Sequence, residues 1–152
     1  MNDLDDLYRE IILDHYKNPR NQGVLEGPTV HAEEGFNPLC GDEVKVYVQV
    51  EDGVVHDIKI TGQGCSISRS SASLMSQAVK GQSLDEVKAT VSRFKRMIAV
   101  EETEDEPEPV DLRVIGELAA LQGVVKFPVR IKCATLAWNT LMLALDEESH
   151  SV

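Results

Sequence analysis

The chain has 152 residues, 42% of them hydrophobic, and a formal net charge of −11 from 26 acidic and 15 basic residues. That length favours one domain over 1–152 with a core large enough to fold without disulfide staples. The acidic balance argues against nucleic acid as a partner, because phosphate binding requires a basic footprint. No apolar run reaches the roughly 20 residues that span a bilayer. The acidic opening Met1-Asn2-Asp3-Leu4-Asp5-Asp6 is unlike a signal peptide, so a cytoplasmic protein with no membrane partner is expected.

Leu4, Leu7, Tyr8, Ile11 and Ile12 recur at helical spacing, with Asn2 or Asp3 as a cap and Pro19 as a stop. A short strand is expected at 29–33. Val44, Val46, Val48 and Val50 then alternate with Lys45, Tyr47 and Gln49, and Val54, His56, Ile58 and Ile60 form a second alternating set beyond Glu51-Asp52-Gly53. A two-residue loop would set Val48 against Asp57. A three-residue loop pairs Val50 with Val54, Val48 with His56, Val46 with Ile58 and Val44 with Ile60, and is the expected register. Extended one step further, it sets Asp42 opposite Gly62.

The rest reads as helical. Residues 65–80 carry Ile67, Leu74, Met75, Ala78 and Val79 ahead of Gly81. Ser83-Leu84-Asp85-Glu86 is a capping box opening a helix through Val87, Val91, Phe94 and Ile98. The acidic stretch at 101–109, broken by Pro107 and Pro109, reads as a solvated loop. Leu112, Ile115, Leu118 and Ala119 suggest a third helix ending near Gly123, and 133–147 a last one containing Leu136, Trp138, Leu141 and Leu145. The sum is an α+β fold: a small, about three-stranded antiparallel sheet with an amino-terminal helix and several carboxy-terminal helices packed on it.

Three cysteines, Cys40, Cys65 and Cys133, stand far apart. In a reducing compartment such thiols are metal ligands, catalytic groups or core residues. The hairpin itself puts Cys40 and Asp42, entering its first strand, at the same end of the sheet as Gly62-Gln63-Gly64-Cys65, leaving its second. Cys65 and Cys133 both read as helix starts, where the dipole favours thiolate, and Arg130 and Lys132 act in the same sense. Three thiolates and a carboxylate match tetrahedral zinc in number, and thiolates also suit iron–sulfur clusters. Three buried structural cysteines remain the alternative on spacing alone. His15 is expected to make a helix-face hydrogen bond and His56 to sit on the Val/Ile face as a satisfied sheet histidine. Trp138 is expected in the core.

Asn37-Pro38-Leu39-Cys40-Gly41-Asp42-Glu43, Gly62-Gln63-Gly64-Cys65-Ser66-Ile67-Ser68 and Lys132-Cys133-Ala134 resemble the NifU amino-terminal/IscU family, as does the opening 7–20. The resemblance covers nearly the whole chain. Lys132 stands where IscU-type proteins carry histidine, and the long segment between Cys65 and Cys133 is similar to the SufU branch. The resemblance implies iron–sulfur cluster assembly and a zinc site of Cys40, Asp42, Cys65 and Cys133. It also implies a SufS-type cysteine desulfurase as partner, passing persulfide sulfur to Cys40 in a zinc-dependent sulfurtransferase reaction, with cluster-assembly or apo-acceptor proteins downstream. The alternative it implies is a scaffold for a transient [2Fe–2S] or [4Fe–4S] cluster.

Overall fold

The computed structural model describes residues 3–38, 41–98, 116–126 and 128–150. Helix α1 runs over Asp3–Lys17, and strands β1 (Val30–Asn37), β2 (Asp42–Glu51) and β3 (Val54–Gln63) follow. Helices α2 (Ser66–Val79) and α3 (Leu84–Ile98), a 3₁₀ segment over Gly116–Lys126 and helix α4 (Pro128–His150) complete the order. The sheet is antiparallel in the order β1-β2-β3. This is the α+β architecture expected, with β1 continuing well past the short strand anticipated at 29–33.

The hairpin solves its register problem differently from the expectation. Asp52 (φ 53°) and Gly53 (φ 73°) form a two-residue turn with both central residues left-handed, which matches the strand twist. Glu51 pairs with Val54 and Val50 with Val55, but Gln49 pairs with Asp57, so His56 is the extra residue of a β-bulge. Beyond the bulge the apolar sets meet again: Val48 faces Ile58 and Val46 faces Ile60. The charged mismatch that argued against a two-residue loop is removed by one inserted residue. His56 is therefore not on the Val/Ile face; it is exposed, its Nε2 3.9 Å from Glu51 Oε2. The shift carries to the strand ends, where Val44 rather than Asp42 lies opposite Gly62.

The inner sheet face, with Val44, Val46, Val48, Val50, Val55, Ile58 and Ile60, is buried beneath the helices. Helix α4 lies against β1 and β2, and α2 packs on β3, α1 and α4. At the centre the Trp138 ring stacks on Phe94, centroids 4.2 Å apart. The outer edge of β3 is covered by the segment after α1: Ile60 N–H donates to Asn21 O (2.9 Å) and Gly23 N–H to Ile60 O (3.1 Å). Leu118, Ala119, Ala120 and Leu121 of the 3₁₀ segment are all buried, because all four helices contact that segment. The third helix expected to end near Gly123 is this 3₁₀ run; Leu112, Ile115 and the acidic stretch 101–109 lie outside the described residues.

Helix ends follow their local chemistry. Ser83 N–H donates to Glu86 Oε1 (3.1 Å) and Glu86 N–H to Ser83 Oγ (3.2 Å), the reciprocal capping box that opens α3. Helix α4 starts five residues before Cys133, at Pro128, whose fixed φ suits the first helical position. Cys133 thus sits in the second turn, with no free helix end beside it, contrary to the expectation that it opens the helix.

Candidate metal centre

Cys65 is the N-cap of α2: its Sγ accepts the Ser68 backbone N–H at 3.4 Å. Asp42, the first residue of β2, is fully buried. Its Oδ1 accepts the Cys65 backbone N–H at 2.9 Å, and Cys65 Sγ lies 3.8 Å from Oδ2. The start of β2 and the start of α2 are thereby tied side chain to backbone at one end of the sheet.

Gly64 makes that tie possible. A Cβ placed on it would meet Asp42 Oδ1 at 2.4 Å and Cγ at 2.9 Å. The bare backbone lets the carboxylate lie directly against the turn that presents Cys65.

Cys133 completes the group from α4 and is 2% exposed. Its Sγ lies 3.7 Å from Val129 O, one turn back, and 3.9 Å from Asn37 Nδ2, at the end of β1. One carboxylate oxygen and the sulfurs of Cys65 and Cys133 all fall within 4.8 Å of one another. Two sulfurs and a carboxylate at that mutual distance are zinc-type donors that one ion can bridge, and they come from three separate elements. Three such donors leave a fourth position for a further ligand. Cys40, the remaining residue expected at the site, lies outside the described residues. Arg130 and Lys132 are exposed on α4.

A buried clasp holds the two cysteine-bearing helices in register. Ser71 Oγ on α2 donates to Ala134 O (2.6 Å), the carbonyl next to Cys133, and accepts from Trp138 Nε1 (3.0 Å). Pattern reading missed Ser71, since serine carries no apolar signal. Five of the six serines in 66–76 are buried, and that density of hydroxyls in one helix was the available clue.

His15, expected to make a helix-face hydrogen bond, is 1% exposed and bonds across to other elements. Its Nδ1 is 2.7 Å from Ser73 Oγ and its Nε2 3.2 Å from Glu117 Oε2, joining α1, α2 and the 3₁₀ segment. Hydrogen bonds from Gln77 and then His15 hold the Glu117 carboxyl below the ordinary glutamate range. These groups fix α1 on the body.

A helix-covered three-stranded sheet that gathers two cysteines and an aspartate at its end defines a small α+β protein with a candidate metal centre. Residues 7–134 match the model of the NifU-like N terminal domain, and the chain belongs to that family. It is 45% identical to the zinc-dependent sulfurtransferase SufU of Bacillus subtilis (strain 168), over 95% of this chain and 93% of that one. It is 38% identical to the iron-sulfur cluster assembly scaffold protein IscU of Streptococcus pyogenes serotype M1, over 97% of this chain and 88% of the relative. A crystal structure described as a SUF-system iron-sulfur cluster assembly scaffold from Fervidobacterium islandicum AW-1 superposes with a TM-score of 0.79. It is 32% identical and covers 90% of this chain and 94% of that chain. Among the described residues no helix is long and apolar enough to cross a membrane.

Proposed function

We propose that this chain, acting as one domain, is an iron–sulfur cluster assembly protein of the SufU type: a zinc-dependent sulfurtransferase that accepts persulfide sulfur from a SufS-type cysteine desulfurase. The observation that carries the reading is the convergence of Asp42, Cys65 and Cys133 within 4.8 Å at the end of the sheet. The relatives named as a zinc-dependent sulfurtransferase and as cluster-assembly scaffolds support it.

Asp42, Cys65 and Cys133 would hold zinc, with Cys40 as the fourth ligand and sulfur acceptor. Zinc, when bound, supplies a redox-inert Lewis acid that keeps thiols deprotonated without oxidising them. The Cys65 N–H fixes the Asp42 carboxylate, and burial of Asp42 and Cys133 keeps water from competing for those donors. In the transfer, the Cys40 thiolate attacks the terminal sulfur of the donor's persulfide. A new S–S bond forms on Cys40, the donor's S–S bond breaks, and the donor cysteine leaves as thiolate.

The test is anaerobic transfer of labelled sulfur from cysteine through a SufS-type desulfurase, with metal analysis of the same sample. Rapid labelling of the zinc-loaded protein, abolished in Cys40→Ala, is the expected result. Stoichiometric iron and acid-labile sulfide on the thiols, with no labelling, would instead support the scaffold reading that the IscU-named relatives suggest.

A further inference from the structure

We propose that Asn37 is a positioning residue of the metal centre, whose side-chain amide donates an N–H···S hydrogen bond to the metal-bound sulfur of Cys133. The inference rests on the zinc-site reading above and adds a residue to it. Asn37 is the last residue of β1 and pairs across the sheet with Asp42, the first of β2. It is 6% exposed, so its amide is committed to the interior at the same end of the sheet as the donor group. Its backbone carbonyl accepts the N–H of Gly41, the residue before Asp42, at 2.8 Å. Its Nδ2 stands 3.9 Å from Cys133 Sγ.

Among the described residues, two groups at that sulfur differ in chemistry. Val129 O, 3.7 Å away, is an acceptor and suits a thiol S–H. A sulfur bound to a metal has no hydrogen to give and only accepts, so the Asn37 amide is the matching partner. Because α4 packs against β1, the bond would also fix the rotamer of Cys133 relative to the sheet end that carries Asp42. Drawing electron density from sulfur weakens its donation to the metal, so removing the amide should alter the centre electronically as well as geometrically.

Two measurements test this on the full chain. In protein loaded with ¹¹³Cd, a through-bond NMR correlation between cadmium and the Asn37 side-chain amide proton is expected; its absence would overturn the proposal. In cobalt-loaded protein, Asn37→Ala and the volume-conserving Asn37→Leu should move the sulfur-to-metal charge-transfer band to lower energy. Both should weaken zinc, measured by chelator competition, by about tenfold, because loss of the fixed Cys133 rotamer outweighs the stronger sulfur donation; that is the low end for groups that orient metal ligands. A band and an affinity unchanged in both variants would refute the role of Asn37 while leaving the zinc site standing. Failure of the wild-type chain to bind zinc, cobalt or cadmium would instead remove the site itself, and this inference with it.

Discussion

Substituting Gly64 by alanine should dismantle the candidate centre without touching a ligand. The new Cβ would stand 2.4 Å from Asp42 Oδ1 and 3.1 Å from Asp42 Cβ, so the carboxylate must move. Asp42 is wholly buried, and Oδ1 is the acceptor for the Cys65 N–H at 2.9 Å, so any movement breaks that bond. A charge-assisted hydrogen bond of this kind contributes about 1.5–3 kcal/mol. Gly64 also has φ +156°, where a side chain costs on the order of 1–3 kcal/mol. The expected loss is about 2.5–6 kcal/mol, a large part of the 5–15 kcal/mol typical of a folded domain. Gly53→Ala is the control: its φ of +73° carries strain, but among the described residues nothing lies within 4 Å of the added Cβ. Urea unfolding in the presence of a chelator reads stability, and competition with a chromophoric chelator reads zinc affinity. Gly64→Ala should lose both, zinc by at least about tenfold, whereas Gly53→Ala should lose about 1–2 kcal/mol and keep its zinc affinity. A Gly64→Ala protein with wild-type zinc affinity would refute the idea that Gly64 seats the carboxylate.

Ser71→Ala should cost about 1–3 kcal/mol in urea unfolding, because it leaves Trp138 Nε1 and the Ala134 carbonyl without their buried partner. Ser83→Ala should cost about 1 kcal/mol, the usual effect of losing an N-cap. The Glu86 carboxyl should shape the acid limb of the stability curve. Hydrogen bonds from Ser83 hold the Glu86 carboxyl below its ordinary value. A depressed carboxylate contributes stability above the ordinary glutamate value of about 4.3 and loses it as pH falls through the lower folded one. The wild-type chain should therefore lose stability more steeply than Glu86→Gln, which has no carboxyl to protonate, on acidification below about pH 4.3, followed by unfolding at stepped pH. Stripping zinc from the loaded protein should lower its melting temperature; a free zinc level about 1,000 times the dissociation constant corresponds to about 4 kcal/mol. A melting curve unmoved by the chelator would contradict coupling between the centre and the fold.

The local elements were legible because their signals are local. The stripe of α1, the Ser83/Glu86 box and the alternation of β2 and β3 each depend on residues within a few positions of one another. Antiparallel pairing alone also placed Asp42 and Cys65 at one end of the sheet, since a hairpin must bring the start of one strand beside the end of the other. What escaped was decided by contacts across the fold. The bulge at His56 exists because burial of Val48, Val46, Ile58 and Ile60 on one face outweighs regular pairing of a single residue. Cys133 reaches the site because Ser71 and Trp138 fix α4 against α2, a relation between residues 63 and 67 apart in sequence. His15 is buried because Ser73 and Glu117, 58 and 102 residues away, supply partners for both its nitrogens. A sequence states which donors exist and how each segment prefers to fold; the packing of helices on the sheet decides which donors meet.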